Sequence, residues 1–171
     1  MSKHDPRTVD VIIDTPRGSR NKYKFDKKLG AFRLAGVLAA GHSFPYDFGS
    51  IPGTKGGDGD AIDVLVLMDE PVFVGCHVKC RLIGGIRADQ TEEDERVERN
   101  DRLLAIPVKS VEYSPVENIN DLTDELLSQI EHFFVSYNEP KGRKFEPQGR
   151  FDAAEAAEIV NRSRRRKAHK K

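Results

Sequence analysis

The pattern of hydrophobic and polar positions divides the chain into a β-rich part followed by a helical part. Short apolar or alternating runs bounded by Gly, Pro and Asp predict five strands. These runs are VDVIID, YKF, DVLVLM, VKCRLIGGI and LLAIPV. The segment DLTDELLSQIEHFFVSY has apolar residues at helical spacing and predicts a helix capped by Asn120 or Asp121. A second helix is predicted from DAAEAAEIV, capped by Asp152 and ending before the basic C-terminus.

Strands that are not interleaved with helices indicate an α+β fold, in which a barrel or closed sheet carries helices on its outside. A chain of 171 residues is long enough for one domain with a real core. The last residues are strongly basic and have no apolar periodicity. We therefore expect a single domain over residues 1–160 and a basic, flexible tail over residues 161–171.

Composition narrows the possible partners and the compartment. The 28 basic and 28 acidic residues cancel, so no overall charge draws the chain to nucleic acid or membrane. No segment approaches the roughly 18 apolar residues that span a bilayer, and the N-terminus has no signal-peptide core. Cys76 and Cys80 lack the further ligands of a zinc site, which favours two buried free thiols. These features predict a cytoplasmic protein without a membrane or nucleic-acid partner.

The stretch GGDGDAIDVLVL concentrates carboxylates directly before an apolar strand. Asp58 and Asp60 share one side of an extended segment, and Asp63 can return to the same region. Such crowding is repulsive unless a cation is present, and oxygen ligands suit Mg²⁺ or Mn²⁺ better than zinc. A polar turn is the alternative for any one of these residues. The spacing excludes an EF-hand, and no Walker A motif occurs.

The segment DGDAIDVLV resembles the D-x-D-x-x-D-V signature of the soluble family I inorganic pyrophosphatases. Further segments resemble the family in the same order: IIDTPRGSRNKYKFD, FPYDFGSIP, RLIGG, RLLAIPV and IEHFFVSYNEPKG. The resemblance runs from about Val9 to Val160. It implies a small five-stranded OB-like β-barrel with flanking C-terminal helices. It also implies hydrolysis of pyrophosphate by a metal-activated water, with several Mg²⁺ ions in each site, Mn²⁺ as a possible substitute, and a homo-oligomer that is a hexamer in the family.

The resemblance also implies roles for individual side chains. Asp60 falls where the family orients or deprotonates the attacking water, and Arg102 stands where the family has a lysine. The implied catalytic residues are Asp60, Lys22, Tyr137 and Arg102. The implied substrate-binding residues are Lys22, Lys24, Arg102, Tyr137 and Lys141. The implied metal ligands are Asp58, Asp60, Asp63, Asp94, Asp101 and Asp14, the last of these where the family usually has Glu.

Several positions depart from the family pattern. Lys24 replaces a Glu, Gly36 an arginine, Phe48 a tyrosine and Asn138 a lysine. A second cation at Lys24 could compensate for the arginine missing at Gly36. The acidic segment before the LLAIPV strand is longer than in the family and lacks its glycine. Asp94 and Asp101 are the preferred ligands there, and Asp89, Glu95 and Glu98 remain alternatives.

These departures leave three functions open. The first is an inorganic pyrophosphatase with a rearranged phosphate pocket. The second is a relative that hydrolyses another phosphoanhydride, because loss of the arginine and of the tyrosine hydroxyl could loosen selection for the small substrate. The third is a non-enzymatic OB-like binding module whose basic tail contacts nucleic acid. The intact DGDAIDV segment favours an enzyme, because a binding module needs no metal-holding triad.

Overall fold

The computed structural model describes residues 5–168, apart from the side chain of Lys167, so the ends of the predicted domain and tail lie outside the described residues. The strands are β1 Thr8–Thr15, β2 Asn21–Asp26, β3 Ala31–Val37, β4 Asp47–Ser50, β5 Asp63–Val66, β6 His77–Thr91, β7 Val97–Arg99, β8 Arg102–Pro107 and β9 Lys144–Asp152. The α-helices are α1 Asp124–Asn138 and α2 Ala153–Ala168. Neither of these described helices is long and apolar enough to cross a membrane.

Five strands form a closed ring. Strand β1 pairs with β4, β4 with β5, β5 with β8, and β8 with β6, and β6 then returns to pair with β1. The pairing of β5 with β8 is parallel, and the other four pairings are antiparallel. Strands β7 and β9 pair with β6 outside the ring, and β2 and β3 form a separate hairpin. The predicted α+β fold with a five-stranded, OB-like arrangement is confirmed.

The two faces of β5 belong to different hydrophobic clusters. Leu65 and Leu67 lie in the cluster that contains the buried side of α1, whereas Val64 and Val66 lie in the cluster that contains the buried side of α2. Side chains alternate along a strand, so Asp63 at the start of β5 lies on the same side as Leu65. This alternation directs one carboxylate of the acidic stretch towards the side of the ring where α1 packs.

Helix α1 has the predicted apolar stripe but begins later than predicted. The hydroxyl of Thr123 accepts a hydrogen bond from the Leu126 N–H, 3.3 Å away, and caps the helix. Asp121 instead belongs to a short 3₁₀ turn, where its carboxylate accepts hydrogen bonds from two upstream backbone N–H groups. The prediction of Asn120 or Asp121 as the cap is therefore wrong, because Asp121 closes the preceding turn.

Helix α2 begins as predicted and continues further than predicted. The Asp152 carboxylate accepts a hydrogen bond from the Glu155 N–H at 2.9 Å, which confirms this cap. The helix runs through the basic segment to Ala168, so its predicted end before that segment is wrong. Val160 and Ser163 continue its buried side, and the Ser163 hydroxyl bonds the backbone of Lys55. These contacts extend the helix where hydropathy alone predicts its end.

The two cysteines are both free thiols, in agreement with the sequence. Cys80 is fully buried, whereas Cys76 is only half-buried, so the prediction that both are buried holds for Cys80 alone.

Candidate active site

Three segments that are distant in sequence meet beside the closed ring. The loop before β5 supplies Asp60, which is paired with Lys24 of the β2–β3 hairpin at 3.2 Å. From the same hairpin, the Lys22 Nζ lies 5.3 Å from the ring centre of Tyr137 at the end of α1. Acidic and cationic side chains therefore line one cleft, as the resemblance implies.

The acidic loop is held open by its own hydrogen bonds. The Asp58 carboxylate accepts a hydrogen bond from the Asp60 N–H at 3.0 Å, and the Gly56 N–H donates to the Asp60 carbonyl at 2.6 Å. Gly59 between the two acids has a φ of 87°, a conformation that glycine adopts without steric cost. The turn leaves the Asp60 side chain largely exposed, with 66% of its surface accessible. Its carboxylate is available to a ligand or a water molecule.

A cluster of cations surrounds Tyr137. The Lys141 Nζ lies 3.6 Å from the ring centre of Tyr137, closer than that of Lys22. Asn138, where the family has a lysine, is buried and donates a hydrogen bond to the Phe134 carbonyl at 2.8 Å. Lys141, in the 3₁₀ turn that follows α1, therefore supplies the positive charge that position 138 lacks.

The electrostatics of this cluster favour a bound anion. Burial opposes ionisation of the Tyr137 phenol, but the charges of Lys22 and Lys141 outweigh it and hold the pKa of Tyr137 below its usual range. Burial also lowers the pKa of Lys141, and the nearby Lys22 acts in the same direction. Two cations that repel each other in a partly buried site are relieved when an anion binds between them.

Asp14 of β1 is one of the poorly solvated residues among the predicted metal ligands. Burial, reinforced by the charge of Asp63, raises the pKa of Asp14 to about 7. The positive charges of Lys22 and Lys24 oppose this rise only in part. A carboxylate in such surroundings gains from a nearby divalent cation, which reverses the cost of its charge.

Because the pKa of Asp14 is raised, we expect the effect of Asp14→Asn on the free energy of unfolding to depend on pH. The folded chain binds the Asp14 proton more tightly than the unfolded chain, so the stability from this group is complete below about pH 4 and is lost as the pH rises to about 7. In metal-free protein at about pH 8, Asp14→Asn should therefore raise the free energy of unfolding by about 4 kcal/mol, because each unit of the pKa rise from 3.8 to about 7 corresponds to roughly 1.4 kcal/mol. Urea unfolding of the wild type and of Asp14→Asn, at about pH 8 and at about pH 4, measures this difference. An equal effect at about pH 4 would contradict it.

Arg102, predicted to bind substrate and to act in catalysis, is only 5% exposed. Its guanidinium donates hydrogen bonds to the carboxylate of Asp63 and to the Asn100 Oδ1. Burial raises the pKa of Asp63, and the Arg102 charge is the main influence against that rise. Arg102 thus lies at the edge of the cleft as the partner of an acid, and its predicted role towards substrate stays a prediction.

The acids of the β6–β7 hairpin do not join the carboxylates of the loop in a metal cluster. Within residues 5–168, no three Asp, Glu, His or Cys side chains converge closely enough to hold a metal ion. Asp94 pairs with Arg96 at 2.6 Å, and Asp101 pairs with Arg99 at 2.6 Å. The predicted role of Asp94 as a ligand, and those of the alternatives Asp89, Glu95 and Glu98, have no support from this arrangement. Asp101 lines the same cavity as Asp58 and Asp63, and its role as a ligand stays a prediction.

Two amides next to Arg102 belong to the site and were not expected from the sequence. Asn100 accepts a hydrogen bond from Arg102 and donates one to the Gln90 Oε1 at 3.0 Å. Asn100 precedes Arg102 by two residues. On an extended chain this spacing puts both side chains on the same side, and it is the sequence signal that could have identified Asn100 as part of the site.

The donor chemistry of the loop fits a divalent cation in part. Asp58 and Asp60 offer carboxylate oxygens, the ligands that Mg²⁺ prefers, and the site has Asp14 as a further oxygen donor. Lys24 must first leave Asp60, and both side chains of that pair are more than half exposed. Asp58 and Asp60 are the residues of the loop that could hold the ion, and Asp14 would have to come closer to join them, because no three acids converge within the described residues.

The basic part of α2 lies next to the acidic loop. A cavity of about 440 Å³ is lined by Asp58 and Asp63 on one side and by Arg162 and Arg166 of α2 on the other. The expected flexible tail therefore includes helical residues that border the site.

The β-sheet forms an OB-like ring, and carboxylates and lysines face one cleft beside it. This combination is typical of a protein that binds a phosphate-bearing anion. The chain belongs to the inorganic pyrophosphatase family, whose model, described as Inorganic pyrophosphatase, matches residues 11–168. The resemblance to soluble family I pyrophosphatases seen in the sequence is thereby confirmed.

Individual relatives agree with this assignment. The inorganic pyrophosphatase of Halalkalibacterium halodurans is 35% identical over 158 residues, which covers 92% of this chain and 93% of the relative. That of Synechocystis is 41% identical over 129 residues, covering 75% and 73% of the two chains. The crystal structure of the Thermus thermophilus pyrophosphatase superposes with a TM-score of 0.88 at 30% identity, covering 98% of this chain and 95% of that one.

Proposed function

We propose that the chain hydrolyses inorganic pyrophosphate to two phosphates. The observation that carries this proposal is the meeting of the exposed Asp60 carboxylate with a cation cluster at Tyr137 in one cleft. Hydrolysis of a phosphoanhydride needs a group that orients the attacking water and cations that stabilise the phosphate leaving group. Membership of the pyrophosphatase family supports the same reaction.

Each group has a distinct task in this proposal. Lys22 and Lys141 bind oxygens of the phosphate that departs, and their charges compensate the negative charge that develops there. The Tyr137 hydroxyl, whose pKa these lysines lower, donates a hydrogen bond to the same phosphate. Asp60 orients the attacking water and accepts its proton.

We assign the metal to Asp58 and Asp60, with Asp14 beside them, and propose Mg²⁺ as the ion and Mn²⁺ as its substitute. Such an ion supplies an activated water and neutralises phosphate charge when it is bound. The chain itself contributes the carboxylates and an open turn at Gly59 that leaves Asp60 accessible.

Phosphate release from pyrophosphate, measured with Mg²⁺ and again with EDTA, tests this function. We expect release that depends on Mg²⁺ and is abolished by EDTA. The matched control is the variant in which Asp58 and Asp60 are both changed to Asn. If the wild type released no more phosphate than this folded control, the proposed activity would be wrong.

A longer phosphoanhydride, such as a nucleoside triphosphate, is a second candidate substrate. Gly36 of β3 pairs with Lys22 of β2, and a Cβ on Gly36 would have no atom within 4 Å. The cleft is therefore open at the position where the family has an arginine. The same assay with ATP decides between the substrates, and a higher kcat/KM for ATP than for pyrophosphate would favour this second candidate.

The open space at Gly36 makes Gly36→Arg a test of gained function. The new guanidinium should bind a phosphate oxygen next to Lys22 and lower KM for pyrophosphate about tenfold, the effect of one charge-assisted hydrogen bond. Steady-state kinetics with both substrates measures this change. Val37→Arg is the matched control, because Val37 is the next residue on β3 and points to the other side. Equal effects of both variants would show a general charge effect.

We propose a cytoplasmic location, which rests on the two free cysteines, because free thiols are typical of a reducing compartment. Assembly into a homo-oligomer, and a hexamer in particular, is proposed from the family resemblance alone. Exposed apolar side chains on the β2–β3 hairpin, among them Leu34 and Val37, are compatible with a covered surface. Light scattering of the full chain measures the oligomeric state.

A further inference from the structure

A buried guanidinium lies where the acidic loop meets the core. The aromatic rings of Phe48, Phe134 and Phe145 surround Arg102, with 5.1 to 5.8 Å between each ring centre and the guanidinium carbon. Only 6% of the Arg102 side chain is accessible to solvent. A cation packed among three aromatic rings is fixed by cation–π and packing contacts, so it cannot swing into solvent as a surface lysine does.

The guanidinium is also the centre of a continuous chain of polar contacts. On one side it holds the Asp63 carboxylate, and on the other it donates to the Asn100 Oδ1 at 2.8 Å. Asn100 donates to the Gln90 Oε1 at 3.0 Å, and the Gln90 Nε2 donates to the Glu92 Oε1 at 2.5 Å. The amides of β6 and of the β7–β8 connection thus bind one another, and their oxygens are engaged with donors of the chain itself.

The pairs Lys24–Asp60 and Arg102–Asp63 differ in how easily they separate. The side chains of Lys24 and Asp60 are 61% and 66% exposed, so water can replace either partner. The side chains of Arg102 and Asp63 are 6% and 24% exposed. Breaking a buried pair leaves an uncompensated charge in a poorly solvated place, so this pair persists.

We propose that the Arg102 guanidinium is a permanent cation of this site. It pairs with the Asp63 carboxylate and takes the place of a metal ion there. Asp63 is then not a metal ligand in this chain, and the chain binds a single divalent ion, at Asp58 and Asp60. This inference rests on the proposed function, because it concerns the metal site of that reaction. It departs from the set of several Mg²⁺ ions that the family resemblance implies.

The charges of the cleft agree with this assignment. Four carboxylates (Asp14, Asp58, Asp60 and Asp63) and four cations (Lys22, Lys24, Arg102 and Lys141) line it. Arg162 and Arg166 of α2 add positive charge around the cavity that Asp58 and Asp63 line. A further divalent ion next to Asp63 would also be repelled by the guanidinium that already contacts it.

Calorimetric titration of the full chain with Mn²⁺ tests the assignment. The wild type should bind one ion. The double variant Asp63→Asn with Arg102→Gln removes one acid and one cation together, so the net charge of the site is unchanged. We expect its Mn²⁺ affinity to stay within threefold of the wild type. Asp60→Asn should weaken the affinity by tenfold or more, because it removes a ligand.

The single variant Arg102→Gln releases Asp63 and should bind Mn²⁺ at least tenfold more tightly or take up a second ion. Arg150→Gln is the matched control, because Arg150 pairs with Glu131 and Asp124 away from the cleft. Circular dichroism shows which variants are folded, and the stoichiometry of the wild type decides the question if a variant is not.

Two or more ions bound by the wild type, or a tenfold loss of Mn²⁺ affinity in the folded double variant, would overturn the assignment. Phosphate release is measured separately. A wild type that binds one ion but releases no phosphate would overturn the proposed activity and leave the role of Arg102 standing.

Discussion

Asp60→Asn should lower kcat for pyrophosphate hydrolysis by about a thousandfold, the range expected when a general base is removed. The Asp60 side chain is 66% exposed, and its turn at Gly59 presents the carboxylate to the solvent. An asparagine side chain of the same size cannot accept the proton of a water molecule. Phosphate release at saturating Mg²⁺ measures kcat for the variant and the wild type.

Saturating Mg²⁺ matters for Asp60→Asn because the variant also loses a proposed metal ligand. Glu70→Gln is a suitable control, since Glu70 is an exposed acid outside the cleft and its loss changes the net charge equally. We expect full activity from this control. Activity of Asp60→Asn within tenfold of the wild type would assign the water-activating role to another group.

Lys22→Gln should lower kcat/KM for pyrophosphate by about a hundredfold, which corresponds to a strong charge-assisted contact in a partly buried site. The Lys22 ammonium lies between the rings of Phe48 and Tyr137, 5.9 Å and 5.3 Å from their centres. This position holds the charge in the cleft and away from bulk water. Steady-state kinetics at fixed Mg²⁺ measures the loss.

Lys22→Gln has a second readout that does not depend on catalysis. The Lys22 charge is the main influence that lowers the pKa of Tyr137 against the effect of burial. The pKa of Tyr137 should therefore rise in the variant, which spectrophotometric titration of the phenolate detects by comparison with Tyr137→Phe. Lys27→Gln, in the exposed turn of the same hairpin, should change neither the kinetics nor this titration. A normal kcat/KM with a raised pKa would separate the electrostatic role of Lys22 from substrate binding.

Periodicity located β1, β2, β5, β6 and β8, and it missed β3, β4, β7 and β9. Strands β1, β5, β6 and β8 are apolar or alternate regularly, and the sequence predicts them. Strand β3 is exposed along most of its length and shows no alternation. Strand β9 contains Pro147 and Gly149, which interrupt a strand pattern, and it forms through its pairing with the long strand β6.

The sequence predicted those site residues that lie in a short motif or in segments that resemble the pyrophosphatase family in the same order. The acidic loop, Lys22 and Tyr137 meet in one cleft, as the resemblance implies. Asp94 does not, because Arg96 two residues away binds it locally, whereas Asp101 pairs with Arg99 and lines the same cavity as Asp58 and Asp63. Arg99 and Asp101 share one side of an extended segment. Asp94 and Arg96 instead face each other across the β6–β7 turn, where Glu95 has a φ of 64°.

The sequence by itself determined the α+β class, the acidic loop before β5 and the family. Each of these depends on short-range spacing, which is visible in a single chain. Only the tertiary structure decided the partner of Asp63, since Arg102 and the amides of Asn100 and Gln90 come from strands or connections whose register is fixed by packing. Whether a cation binds a carboxylate or points to solvent depends on burial, and burial is a property of the folded chain.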